Sequence, residues 1–138
     1  MLTLKVSTTI ATDTSKVWDA LTNPTIIKEY MFGTDTTSDW KVGSRITYKG
    51  VWQEKEYEDG GTIIEIEPKK KLISTYWSSM SGTEDKPENY ATVGYYLEPT
   101  ENGTKLTITQ DNIKTEEAKE HSISNWNMVL DTMKKILE

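Results

Sequence analysis

The chain contains no cysteine. That excludes a disulfide framework and any thiolate metal site, so the fold must stand on packing alone, as suits a reducing compartment. Histidine occurs once, at His121, and phenylalanine once, at Phe32. Basic residues are in the minority, 16 against 22 acidic, for a net charge of -6. Nucleic-acid binders carry a basic excess or stripe. The only dense basic run here, Lys69-Lys70-Lys71, follows Pro68 and reads as a solvated turn before an apolar strand. No stretch approaches the roughly 20 apolar residues that a membrane span requires. The opening MLTLKVSTTIATD has neither the basic start nor the apolar run of a signal peptide. The expectation is a cytoplasmic protein with no membrane span and no nucleic-acid partner. Phosphate-binding signatures are also missing: Gly60-Gly61 lacks the lysine and helix of a P-loop, and there is no G-x-G-x-x-G.

What is present begins with size. At 138 residues the chain suits a single domain, 1–138, that buries about two-thirds of its unfolded surface. Five Trp and seven Tyr set the aromatic character. These side chains join an apolar body to a polar tip, which suits a core that is partly wet or that meets a ligand.

Periodicity then orders the elements. Leu2, Leu4, Val6, Thr8 and Ile10 alternate with polar residues, as in a half-buried strand. Asp13, Thr14 and Ser15 can cap a helix carrying Val17, Trp18 and Leu21, which Asn23-Pro24 breaks. A second short helix runs from Pro24 to about Met31, and residues 33–44 read as a loop anchored by Trp40 and Val42. From Arg45 the period is two. Asp59-Gly60-Gly61 reads as a turn between strands, and further strands span 62–67, 72–78, 90–98 and 105–110. The two faces of 72–78, Leu72/Ser74/Tyr76 and Ile73/Thr75/Trp77, are nearly equally apolar, so pattern leaves open which is buried. Residues 79–88 form a polar loop.

The chain closes on a long helix. Thr115 is its candidate N-cap, with Glu116 and Glu117 in the first turn and Lys134 and Lys135 in the last, complementing the helix dipole. Ile123, Trp126, Val129, Leu130, Met133 and Leu137 fall on one side, and only the concave face of an antiparallel sheet is large enough to receive them. The stripe tapers. Its C-terminal part is bulky, whereas Thr115, Ala118, Lys119 and Ser122 are small or polar. A tight end near Met133 and Leu137 and a pocket at the loose end near Ser122 are therefore expected.

The order of "TSKVWDALTNPTIIKEYM", "DWKVGSRITYKG", "GGTIIEIEPKKKL", "ENGTKLTITQ" and "SNWNMVL" resembles the homologues of the activator of the ninety-kilodalton heat-shock-protein ATPase. That family lies within the START-like, birch-pollen-allergen-like (helix-grip) superfamily. The resemblance covers essentially the whole chain. It implies an α+β helix-grip fold: a curved, six-stranded antiparallel sheet around a long C-terminal helix, two short helices after the first strand, and an apolar cavity between sheet and helix. The superfamily includes lipid and hormone binders, cyclases, hydroxylase domains and chaperone partners. It shares no universal catalytic motif, so no catalytic residue carries over.

The residues themselves show no catalytic constellation. His121 has the pKa for acid–base work but sits about 140 degrees from Trp126, off the apolar stripe. The pairs Glu54/Glu56 and Glu65/Glu67 fall on strand faces that are expected to meet solvent. One histidine with scattered carboxylates makes a poor metal site, and no cofactor is expected. The wall of the expected pocket is assigned to Phe32, Tyr48, Trp52 and Trp126, then to Tyr30, Tyr76, Tyr95 and Ser122. Three functions compete. The first is a monomeric binding module for a small hydrophobic or aromatic molecule, lipid-like or polyketide-like. The second is a chaperone-associated protein of the stress response. The third is a cavity enzyme of cyclase or hydrolase type, which would need a buried carboxylate or a perturbed tyrosine.

Overall fold

The structure, a computed structural model, describes residues 2–79 and 81–138; the side chain of Trp52 lies outside that description. Strand β1 (Leu2–Ile10) leads into helices α1 (Thr14–Thr22) and α2 (Pro24–Tyr30). Six strands follow: β2 (Asp35–Thr37), β3 (Arg45–Trp52), β4 (Lys55–Glu67), β5 (Lys71–Tyr76), β6 (Ala91–Thr100) and β7 (Gly103–Ile113). Helix α3 (Glu116–Leu137) ends the chain.

Local chemistry sets the helix starts. Asp13 accepts the amide of Lys16 at 2.9 Å to begin α1, and Asn23 accepts that of Thr25 at 3.0 Å to begin α2, with Pro24 in the first turn. Thr115 accepts the amide of Ala118 at 3.1 Å to begin α3.

The strands form one antiparallel sheet in the order β1-β7-β6-β5-β4-β3-β2. The fold is α+β, with α3 held on the concave face of a curved sheet. It differs from the sequence reading in two places. The sheet has a seventh strand, β2, within the segment read as a loop; three residues paired to β3 are too few to show a period. The anticipated anchor Val42 of that segment is exposed. Asp59-Gly60-Gly61 is not a turn but the middle of β4. The reversal falls instead at Gln53 and Glu54, whose φ angles of 50° and 67° match a two-residue hairpin turn. The two glycines serve close approach. A Cβ on Gly61 would run into the backbone carbonyl of Thr75, and one on Gly60 would lie 2.6 Å from the carbonyl oxygen of Ile46. Strands β3, β4 and β5 can therefore crowd together at this crease.

The core lies between α3 and the sheet, closed at one end by α1. Ile10, Leu106, Ile108, Val17, Leu130 and Met133 are among its deeply buried members. On β5 the buried face is Leu72/Ser74, which turns Tyr76 toward the cavity. The end of α3 is fastened to β1. Glu138 accepts the amide of Ala11 at 2.9 Å, and Lys134 donates to the carbonyl of Thr9 at 2.8 Å. Their own ion pair closes the latch at 3.3 Å.

Candidate functional site

At the other end of α3 the helix stands off the sheet. The space left is a cavity of about 480 Å³. Strand register builds its floor. Tyr48 pairs with Asp59 across β3 and β4, while Ser74, Val93 and Gln110 line up across β5, β6 and β7. Helix α3 contributes Ser122, Asn125, Trp126, Met128 and Val129 as a roof. Phe32, Val51 and Met128 line the cavity yet are 65%, 66% and 52% exposed, so they form its apolar lip.

Aromatic rings make most of the wall. Tyr48 meets Tyr76 edge to face with centroids 5.9 Å apart, and Tyr95 meets Trp126 in the same way at 5.9 Å. The indole of Trp126 donates to Oε1 of Gln110 at 2.9 Å, fixing both the ring and the amide. Tyr57 lies across Gly50, and its phenol is 2.6 Å from Oγ1 of Thr34. Thr34 spends its proton on the carbonyl of Met31 at 2.7 Å, so the phenol is the donor to Thr34.

The polar feature of the floor is Asp59, which is buried at 8% exposure. Its Oδ2 accepts the phenol of Tyr76 at 2.9 Å. Its Oδ1 accepts the hydroxyl of Ser78 and the amide of Ser79, each at 3.0 Å, with the Ser79 hydroxyl at 3.4 Å. Burial pushes the phenols of Tyr48 and Tyr76 well above their ordinary range, and the Asp59 carboxylate adds to both shifts. Burial raises Tyr95 likewise. These phenols stay neutral, and that of Tyr76 donates to Asp59; none is poised as a base near neutrality.

The structure brings Phe32, Tyr48, Tyr76, Tyr95, Ser122 and Trp126 to one cavity. Tyr30 is not among the lining residues. It is buried between α1 and α2, where its phenol donates to the carbonyl of Ala20 at 2.8 Å; an apolar side on a short helix does not distinguish core from wall. The side chain of Trp52 lies outside the described residues. His121 is exposed, as are Glu54, Glu56, Glu65 and Glu67. Asp59, Tyr57 and Gln110 were missed. A signal for them exists: Tyr57 and Asp59 keep the alternate phase of inward-facing Ile63, and Gln110 continues that of Leu106 and Ile108. Among the described residues no group of three His, Asp or Glu is placed to hold a metal ion, and no helix is long and apolar enough to cross a membrane.

Comparison with known proteins places this architecture. The family pattern described as Activator of Hsp90 ATPase homolog 1-like protein matches residues 11–138. The solution structure of ChR145 from Cytophaga hutchinsonii is 46% identical, with a TM-score of 0.87 over 99% of this chain and 94% of that one. More distant structures share the fold. The Aha1 dimer from Colwellia psychrerythraea is 22% identical with a TM-score of 0.79, covering 100% of this chain and 97% of that one. Protein CV1439 from Chromobacterium violaceum is 16% identical with a TM-score of 0.82, covering 100% and 99%. No curated protein matches the chain. The chain belongs to the Activator of Hsp90 ATPase homolog 1-like family.

Proposed function

We propose that the protein binds a small hydrophobic or aromatic molecule, lipid-like or polyketide-like, in the cavity between the sheet and α3. The observation that carries this reading is the cavity itself. About 480 Å³ is the size of a small-molecule site, and the walls combine apolar rings with a few fixed polar groups. A core without such a role would close that space, because every unfilled void forfeits packing energy. Phe32, Tyr48, Tyr76, Tyr95, Ser122 and Trp126 are the proposed contacts from the sequence reading, joined by Gln110 and Asp59.

The test is a screen of apolar and aromatic compounds against isotopically labelled protein. Binding moves the signals of the Trp126 indole, the Gln110 amide and the backbone of Ser122 and Val129, and leaves the latch near Ala11 unmoved. A compound present at 100 times its Kd also adds about 2.7 kcal/mol of stability. A broad screen in which those signals never move overturns the reading. The family name favours a second reading, association with a chaperone, although shared fold is a weak warrant for shared function. Capture of the heat-shock ATPase by the immobilised full chain, retained when the cavity is filled by Ser122→Leu, distinguishes this reading from the first.

A further inference from the structure

The charge of the cavity narrows the class of ligand. Among the described residues Asp59 is the only charged side chain that lines the chamber; no described lysine, arginine or histidine reaches it. Among the described residues, each hydrogen bond to Asp59 comes from a neutral donor: the hydroxyls of Tyr76, Ser78 and Ser79 and the amide of Ser79. None of the ion pairs among the described residues includes Asp59. These bonds satisfy its oxygens as acceptors without supplying a countercharge. They also fall unevenly. Oδ1 is crowded, whereas Oδ2 receives Tyr76 alone and keeps a lone pair for a further partner.

The rings nearby match this charge. Tyr48 and Tyr76 meet edge to face next to Asp59, and Tyr95 and Trp126 form a second such pair in the same chamber. Aromatic faces are electron-rich and attract a cation within about 6 Å of a ring centroid, more strongly when water is excluded. A carboxylate within an aromatic enclosure is a receptor for an organic cation. For a fatty-acid carboxylate the same chamber is hostile, since it offers a like charge and no basic partner.

Resting on the cavity reading above, we infer that the preferred ligand is an apolar molecule carrying a positively charged nitrogen, an amine or quaternary ammonium, whose charged end sits among Asp59, Tyr48 and Tyr76 while its apolar body extends toward Tyr95 and Trp126. The net charge of -6 draws such a ligand toward the protein.

The experiment compares three compounds with one phenylbutyl tail, ending in trimethylammonium, hydroxyl or carboxylate, by calorimetric titration of the full chain. The ammonium compound binds about ten-fold more tightly than the alcohol, and the carboxylate binds most weakly. In Asp59→Asn the ten-fold preference for the ammonium compound over the alcohol is lost, and the carboxylate is no longer the weakest of the three. The wild-type comparison decides the matter even where that variant fails to fold. An alcohol that binds as well as the ammonium compound, or a carboxylate that binds better, overturns this inference and leaves the cavity reading standing. No binding by any of the three overturns this inference and counts against the cavity reading as well.

Discussion

The two ends of α3 rest on the same sheet and are built on opposite terms. At the C-terminal end, Met133 and Leu130 are buried to within 2% exposure, and the latch of Lys134 and Glu138 ties the last turn to β1. At the other end, Ser122 and Asn125 face a chamber, and Trp126 is half-buried and braced by one hydrogen bond to Gln110. One helix thus divides its work. The tight end stabilises the fold, and the loose end leaves a chamber. Stability and the proposed binding are therefore separable by position along a single element.

The sharpest way to expose that division is alkaline pH, because three of the four raised phenols, Tyr48, Tyr76 and Tyr95, line the loose end, the fourth being Tyr30 between α1 and α2. Their folded-state pKa values lie above the ordinary phenol value of 10.0, so their contribution is intact below pH 10 and is lost as pH climbs above it, when the unfolded chain ionises first. For the fully buried Tyr95 the loss is about 1.4 kcal/mol per pH unit above that value. Phenolate absorbance followed beside circular dichroism should show these tyrosines ionising together with unfolding, not before it.

Core deletion at the tight end comes next. Met133→Ala should cost about 2–5 kcal/mol in urea titration. At the crease, Gly61→Ala drives a methyl into the Thr75 carbonyl and should cost about 1–3 kcal/mol by the same measurement. At the loose end, Trp126→Phe removes the bond to Gln110 but keeps a ring beside Tyr95, and should cost about 1 kcal/mol. A Trp126→Phe loss equal to that of Met133→Ala would erase the contrast between the ends. The smallest change is Glu138→Gln. The amide of Ala11, then Lys134, hold the Glu138 carboxyl below its usual range, so its contribution is present at neutral pH and lost as pH falls through the lowered pKa. The variant should match wild type at acid pH and be slightly less stable at neutral pH, as read from melting temperatures across that range.

Much of this was legible in the sequence where one period runs long enough. Helix α3 declares its buried stripe over 22 residues, and the taper from Met133 to Ser122 locates the chamber. The side chains of β6 alternate from Ala91 to Leu97 and those of β7 from Thr104 to Ile108, so Val93, Tyr95, Leu106 and Ile108 are placed by pattern alone. What could not be read depends on contacts distant in sequence. Strand β2 exists only because β3 is there to pair with it. The buried face of β5 is settled by packing, since both faces offer similar side chains. Asp59-Gly60-Gly61 carries the local signature of a turn, yet the glycines are required by neighbouring strands, and the aspartate beside them becomes the polar centre of the floor.

The crease at Gly60 and Gly61 also bears on how readily the proposed site could change its guest. It is main chain drawn against main chain, with no lining side chain between, that folds the sheet over at this place. The hollow owes its outline to the frame more than to its furnishings. Exchange of a tyrosine, serine or tryptophan around it would alter what is welcomed inside while the frame stays where it is.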